Sequence, residues 1–130
     1  MWETQDTMTH QTSLDAPALH HLALRAADVA ATVAFYKEVF GLAEVRSELP
    51  RAVWLGLSVG AVLMVEARGQ GEPAIPTGTL ELFAFRVSER HKLAIRGLAL
   101  SRGCFDGETS HTVYLRDPDG RRVGVSTYPL

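Results

Sequence analysis

The 130-residue chain reads as an α+β domain of two tandem βαβββ modules. Two observations predict this. The first is an internal repeat: Asp28 and Ser88, Trp54 and Tyr114, Gly60 and Gly120, and Met64 and Gly124 each stand 60 residues apart. The first strands match at an offset of 61, His21 with Leu82, Ala23 with Ala84 and Arg25 with Arg86. Self-similarity at a fixed period is strong evidence about architecture. The second is the order of elements, a strand, a helix and three strands, which occurs once in each half.

The first element, LHHLALRA, is a short apolar run with strand character. Asp28 offers a helix N-cap. VAATVAFYKEVF follows, with Val29, Val33, Tyr36 and Phe40 at helical spacing, and Gly41 is placed to end it in a left-handed cap. AEVRSE, RAVWLGL and AVLMVEA read as three strands, with a turn at Ser58-Val59-Gly60. These elements make a first module over residues 18–68. GQGEPAIPTG, residues 69–78, combines glycine and proline and reads as a linker. The second module, 79–130, opens with the strand TLELFAFRV. Ser88 caps a helix, ERHKLAIRGLAL, and a weak strand follows Gly103. HTVYLRD and RRVGVSTY then pair across Asp117-Pro118-Asp119-Gly120, a strong turn signal.

Composition narrows the function classes. The chain is 46% hydrophobic and 22% charged, with a net charge of −2. That suits one globular domain. No basic stripe points to nucleic acid and no Lys/Arg block points to a membrane surface. Residues 1–17 are polar and lack the cationic and apolar regions of a signal peptide. They read as a flexible tail, or as a leader to a start at Met8. The one cysteine, Cys104, can form no intrachain disulfide, which suits a cytoplasmic protein.

Residues i and i+2 of a strand share a face. Leu22, Leu24, Leu63, Val65, Phe83, Phe85, Val123 and Val125 therefore form one set, expected to pack under the helices. Trp54, Met64, Leu82, Ala84, Thr112, Tyr114, Ser126 and Tyr128 form the other. Gly124 interrupts its strand on this second face, where glycine marks a bulge or a close approach. Arg25 and Arg86 are placed at the rim. Glu81 and His111 have the wrong parity for this face, and His20 is expected to pack near the helix.

HHLALRAADVAATVAFYKEVFGL and YLRDPDGRRVGVSTYP resemble the two signature ends of the vicinal oxygen chelate superfamily, over residues 18 to 129. That group includes glyoxalase I, bleomycin resistance proteins, fosfomycin-inactivating transferases and extradiol dioxygenases. The resemblance implies an open cup of curved mixed sheets, a site within the cup, and in many members a homodimer. It also implies a divalent metal, Zn, Fe, Ni or Mn, held by His, Glu or Gln from the first and last strands of the modules. The corresponding positions here are His21, Met64, Leu82 and Gly124. Only His21 is a competent ligand for such ions. Glu66 shares a face with Met64, so His21 and Glu66 are the one metal pair that can be assembled, and the same two are the candidate catalytic bases.

No cofactor is therefore expected. Gly124 reads as an abandoned ligand position that removes a charge and opens room. The expected function is a small-molecule-binding protein of the bleomycin-resistance kind with a degenerate metal site, dimeric, and lined by Trp54, Met64, Leu82, Thr112, Tyr114, Gly124 and Ser126. The expected ligand is a small organic molecule, aromatic ones included. Two alternatives stay open. One is a metal-dependent glyoxalase- or dioxygenase-type enzyme, a lyase, isomerase or oxygenase with a rebuilt site. The other is a non-catalytic dimerisation module.

Overall fold

The computed structural model describes residues 15–130. Most of the expected N-terminal tail, and the alternative start at Met8, lie outside the described residues. The first module runs β1 (His21–Ala26), α1 (Val29–Phe40), β2 (Ala43–Glu48), β3 (Ala52–Gly56), a 3-10 turn (Ser58–Gly60) and β4 (Val62–Ala67). The second runs β5 (Leu82–Arg86), α2 (Glu89–Arg102), β6 (Phe105–Glu108), β7 (Thr112–Arg116) and β8 (Arg122–Ser126). Each module forms its own open, four-stranded mixed sheet, ordered β1-β4-β3-β2 and β5-β8-β7-β6. In both, the first and last strands pair in parallel and the rest antiparallel.

The caps form as the residue types dictate. Asp28 Oδ1 accepts from the Ala31 amide at 3.1 Å, and Ser88 Oγ from the His91 amide at 3.1 Å. Gly41 and Gly103 close the helices at φ 74° and 73°, in the left-handed region glycine occupies without a Cβ penalty. That stop carries α2 to Arg102, past the apolar pattern that ends at Leu100. The run TLELFAFRV pairs only over Leu82–Arg86, because its partner β8 offers a ladder no longer than Arg122–Ser126.

The repeat is visible in the ladders. Ala23 lies opposite Met64, and Ala84 opposite Gly124. The parity assignment also holds. Leu24, Val53, Leu55, Leu63, Val65, Val113, Leu115, Val123 and Val125 are buried in one core. Burying each such side chain contributes roughly 1.5–3 kcal/mol. Val29, Val33, Tyr36 and Phe40 of α1 join that core. α1 also reaches the second sheet, with the Tyr36 ring stacked on Phe83 at 6.5 Å and Phe40 edge-on to Phe85 at 5.1 Å.

A polar clasp at one end ties the modules further. The Tyr36 hydroxyl donates to Asp117 Oδ2 at 2.7 Å, and Arg121 Nη1 donates to the same oxygen at 2.7 Å. Asp117 Oδ1 accepts from the amides of Asp119 and Arg121. Asp119 accepts from the Ala27 amide at 2.9 Å and the Thr32 hydroxyl at 3.2 Å. The two turn-forming aspartates therefore also dock the β7–β8 turn on the first module. His20 corrects another expectation: it is exposed rather than packed, and its Nδ1 lies 2.9 Å from His21 Nδ1.

Candidate functional site

On each sheet, the face turned away from the helices carries the second parity set. On the first sheet, Trp54 and Met64 lie directly opposite each other and are half-buried. Arg46, across the ladder from Trp54, places its guanidinium 5.1 Å from the indole centroid. On the second sheet, Tyr114 lies opposite Gly124, and the Arg122 guanidinium sits 4.0 Å over the phenol ring. Thr112 and Ser126 are cross-strand partners whose hydroxyls are 2.7 Å apart. Leu82 is 42% exposed, and Tyr128, beyond the end of β8, is 59% exposed.

Gly124 requires a correction. It is buried, and its missing side chain opens no room. A Cβ built there would lie 3.3 Å from Ala84 Cβ, 3.3 Å from Thr112 Cγ2 and 3.6 Å from Tyr114 Cδ1. The glycine lets three neighbours close over the strand. Of the two readings an interior glycine offers, close approach is the one that holds.

The His21–Glu66 pair is corrected too. His21 lies opposite Val62, and Glu66 lies opposite Arg25, four ladder positions further along. At about 3.3 Å per residue that is roughly 13 Å, too far to share an ion. Glu66 is instead ion-paired with Arg25 at 3.0 Å, and Arg25 also binds Glu72 at 2.9 Å. The other implied ligand positions hold Met64, Leu82 and Gly124. Among the described residues no group of three or more His, Cys, Asp or Glu is placed to hold an ion.

Arg25 reaches across the ladder to Glu66 and on to Glu72. Its hydrogen bonds, with the Gly69 amide, hold the Glu72 carboxyl at about 2. This lowered value makes the carboxylate form dominant above pH 2, and the Arg25 contact is lost only as pH falls from the ordinary 4.5 through 2. Arg25→Ala is expected to return Glu72 towards the ordinary carboxylate range, read by the pH dependence of its side-chain NMR resonance. An unchanged midpoint would assign the shift to the Gly69 amide and the Arg68 charge.

Sequence reasoning missed three cations on these faces: Arg46, Arg116 and Arg122. The signal was available for two of them, since Thr112, Tyr114 and Arg116 alternate, as do Arg122, Gly124 and Ser126. Arg116 and Arg122 share one acid, Asp106, at 2.9 and 2.8 Å. The second sheet thus presents more positive than negative charge. Cys104 is half-buried, and burial pushes its thiol pKa up, which disfavours the nucleophilic thiolate.

The family model described as Glyoxalase/Bleomycin resistance protein/Dioxygenase superfamily matches residues 18–125. The chain belongs to this superfamily. Solved structures agree on the superfamily fold. A possible glyoxalase from Bacillus cereus is 23% identical, with a TM-score of 0.72 over 85% of this chain and 99% of its own. The fosfomycin resistance protein FosX from Listeria monocytogenes is 18% identical, with a TM-score of 0.73 over 88% and 94%. A lactoylglutathione lyase from Agrobacterium tumefaciens is 21% identical, with a TM-score of 0.68 over 86% and 94%. No curated protein matches the chain. These superfamily neighbours carry different activities on one fold, so the site residues must carry the functional argument. No helix among the described residues is long and apolar enough to cross a membrane.

Proposed function

We propose that this superfamily member binds a small, planar organic molecule on the helix-free faces of its sheets, without the superfamily's metal. One observation carries the reading: each face presents a half-buried aromatic with an arginine over its ring, Trp54 with Arg46 and Tyr114 with Arg122. Such pairs offer an apolar surface beside a cation, the mixture that recognises aromatic anions. Met64 and Leu82 extend the apolar area, and the Thr112 and Ser126 hydroxyls supply hydrogen bonds. The donor set supports metal-free binding, because Glu66 is engaged by Arg25 and lies far from His21. His21 is left as a lone polar contact.

The open faces and the exposed Leu82 and Val45 favour a homodimer whose second copy covers them. The single Cys104 favours a cytoplasmic setting.

The test is calorimetric titration with a panel of aromatic carboxylates, on the full chain and on Trp54→Ala. Saturable binding by a panel member is expected in the full chain and absent in the variant, with stability changed by less than about 1 kcal/mol. No binding across the panel would end this reading. So would a stability loss near the ~3–5 kcal/mol typical of truncating a packed core aromatic.

A further inference from the structure

We infer that the chain carries a second binding site, separate from the aromatic pairs of the sheet faces, for an amphipathic monocarboxylate: one carboxylate on a hydrocarbon body. The site is a cavity of about 640 Å³ between the modules. It lies against the turn Leu57–Ser58 of the first module and the start of α2 in the second. Its volume falls within the range of ligand pockets.

The duplication explains why the cavity is open. Gly60 and Gly120 hold the same conformation, at φ 84° and 83°. The Leu57 amide donates to the Ala61 carbonyl at 2.9 Å, as the Asp117 amide does to the Arg121 carbonyl at 2.9 Å. The two turns are therefore equivalent in backbone and differ in side chain. One carries Asp117 and Asp119, which grip Tyr36 and Thr32 of α1. The other carries Leu57 where the first has Asp117. The α2 counterparts of Thr32 and Tyr36 are Lys92 and Arg96. They turn elsewhere: Lys92 Nζ donates to the Ser110 carbonyl, and Arg96 binds Glu108. One end of the module interface is clasped, and the other has no polar clasp among the described residues.

The lining says what would fill it. Phe40, Leu42, Leu57, Phe85 and Ile95 provide an apolar wall. Arg86 and His91 are the titratable side chains at its border, and both are exposed. The Arg86 side chain makes no ion pair or hydrogen bond among the described residues, unlike its counterpart Arg25, which holds two carboxylates. A single free guanidinium beside an imidazole matches one negative charge, and its planar fork matches a carboxylate. The apolar wall takes the hydrocarbon. The cavity meets the helix-free face of the second sheet only at Ala84 and Arg86.

The test uses decanoate and the uncharged decan-1-ol as probes, titrated calorimetrically against the full chain, Arg86→Glu and Trp54→Ala. Arg86 is exposed, so its replacement leaves the core intact. The expected result is saturable decanoate binding that Arg86→Glu weakens at least tenfold. Decanol affinity should stay within twofold in that variant, and Trp54→Ala should leave decanoate binding unchanged. Absence of saturable decanoate binding would overturn the inference, as would binding indifferent to Arg86→Glu. Loss of decanoate binding in Trp54→Ala would move the molecule to the sheet face and also overturn it, while leaving the aromatic-face reading standing.

Discussion

Asp117→Ala is expected to cost about 3–5 kcal/mol of folding stability, the loss seen when one partner of a buried ion pair is removed. The Asp117 side chain is fully buried and that of Arg121 nearly so. Four contacts reach the carboxylate, from two amides, the Arg121 guanidinium and the Tyr36 hydroxyl, and the guanidinium keeps one other acceptor, the Arg25 carbonyl at 3.1 Å. The deletion leaves a cation and a buried hydroxyl unmatched at the joint between the modules. Urea denaturation monitored by circular dichroism measures the effect. A loss below about 1 kcal/mol would show that the aromatic contacts of α1 hold the joint without the clasp.

Tyr36→Phe separates the hydroxyl from the carboxylate. It should cost about 1.5–3 kcal/mol, the range for a hydrogen bond to a charged group. Burial, and then the Asp117 charge, raise the Tyr36 pKa well above its ordinary 10. A raised folded-state value means that this contribution is whole below pH 10 and declines as pH rises beyond it. The alkaline decline should therefore be shallower in Tyr36→Phe than in the natural chain.

Gly124→Glu is expected to lose roughly 1–3 kcal/mol, the usual cost of overpacking. The first added carbon meets Ala84 and Thr112 at 3.3 Å, closer than comfortable packing allows, and both neighbours are anchored on adjacent strands. Ala84→Gly in the same chain removes one of those contacts and should recover part of the loss. Thermal unfolding of the single and double variants decides it. A Gly124→Glu chain as stable as the parent would restore the reading of this position as vacant space.

The architecture is legible in the sequence because its signals are local or periodic. Asp28 and Gly41 bracket α1, Ser88 opens α2, and alternation separates Val123 and Val125 from Tyr114 and Ser126. The offsets of 60 and 61 recur in the strand registers, since a duplicated module keeps its hydrogen-bond ladder. The candidate faces followed from parity, a property of the backbone alone.

What parity cannot carry is distance along a ladder and the reach of long side chains. His21 and Glu66 share a face, yet parallel pairing puts Glu66 beside Arg25. The Arg25 side chain then spans to Glu72, in the segment expected to be only a linker. Gly124 is an absence in the chain, and only its neighbours reveal whether that absence is a hole or a contact. The clasp and the cavity arise in the same way. Asp117 and Leu57 sit in turns of the same backbone form, and one end of the joint is filled and the other open because of which side chains the opposite module brings within hydrogen-bond range. Pairings across dozens of residues leave no periodic trace, so packing between the modules settled them.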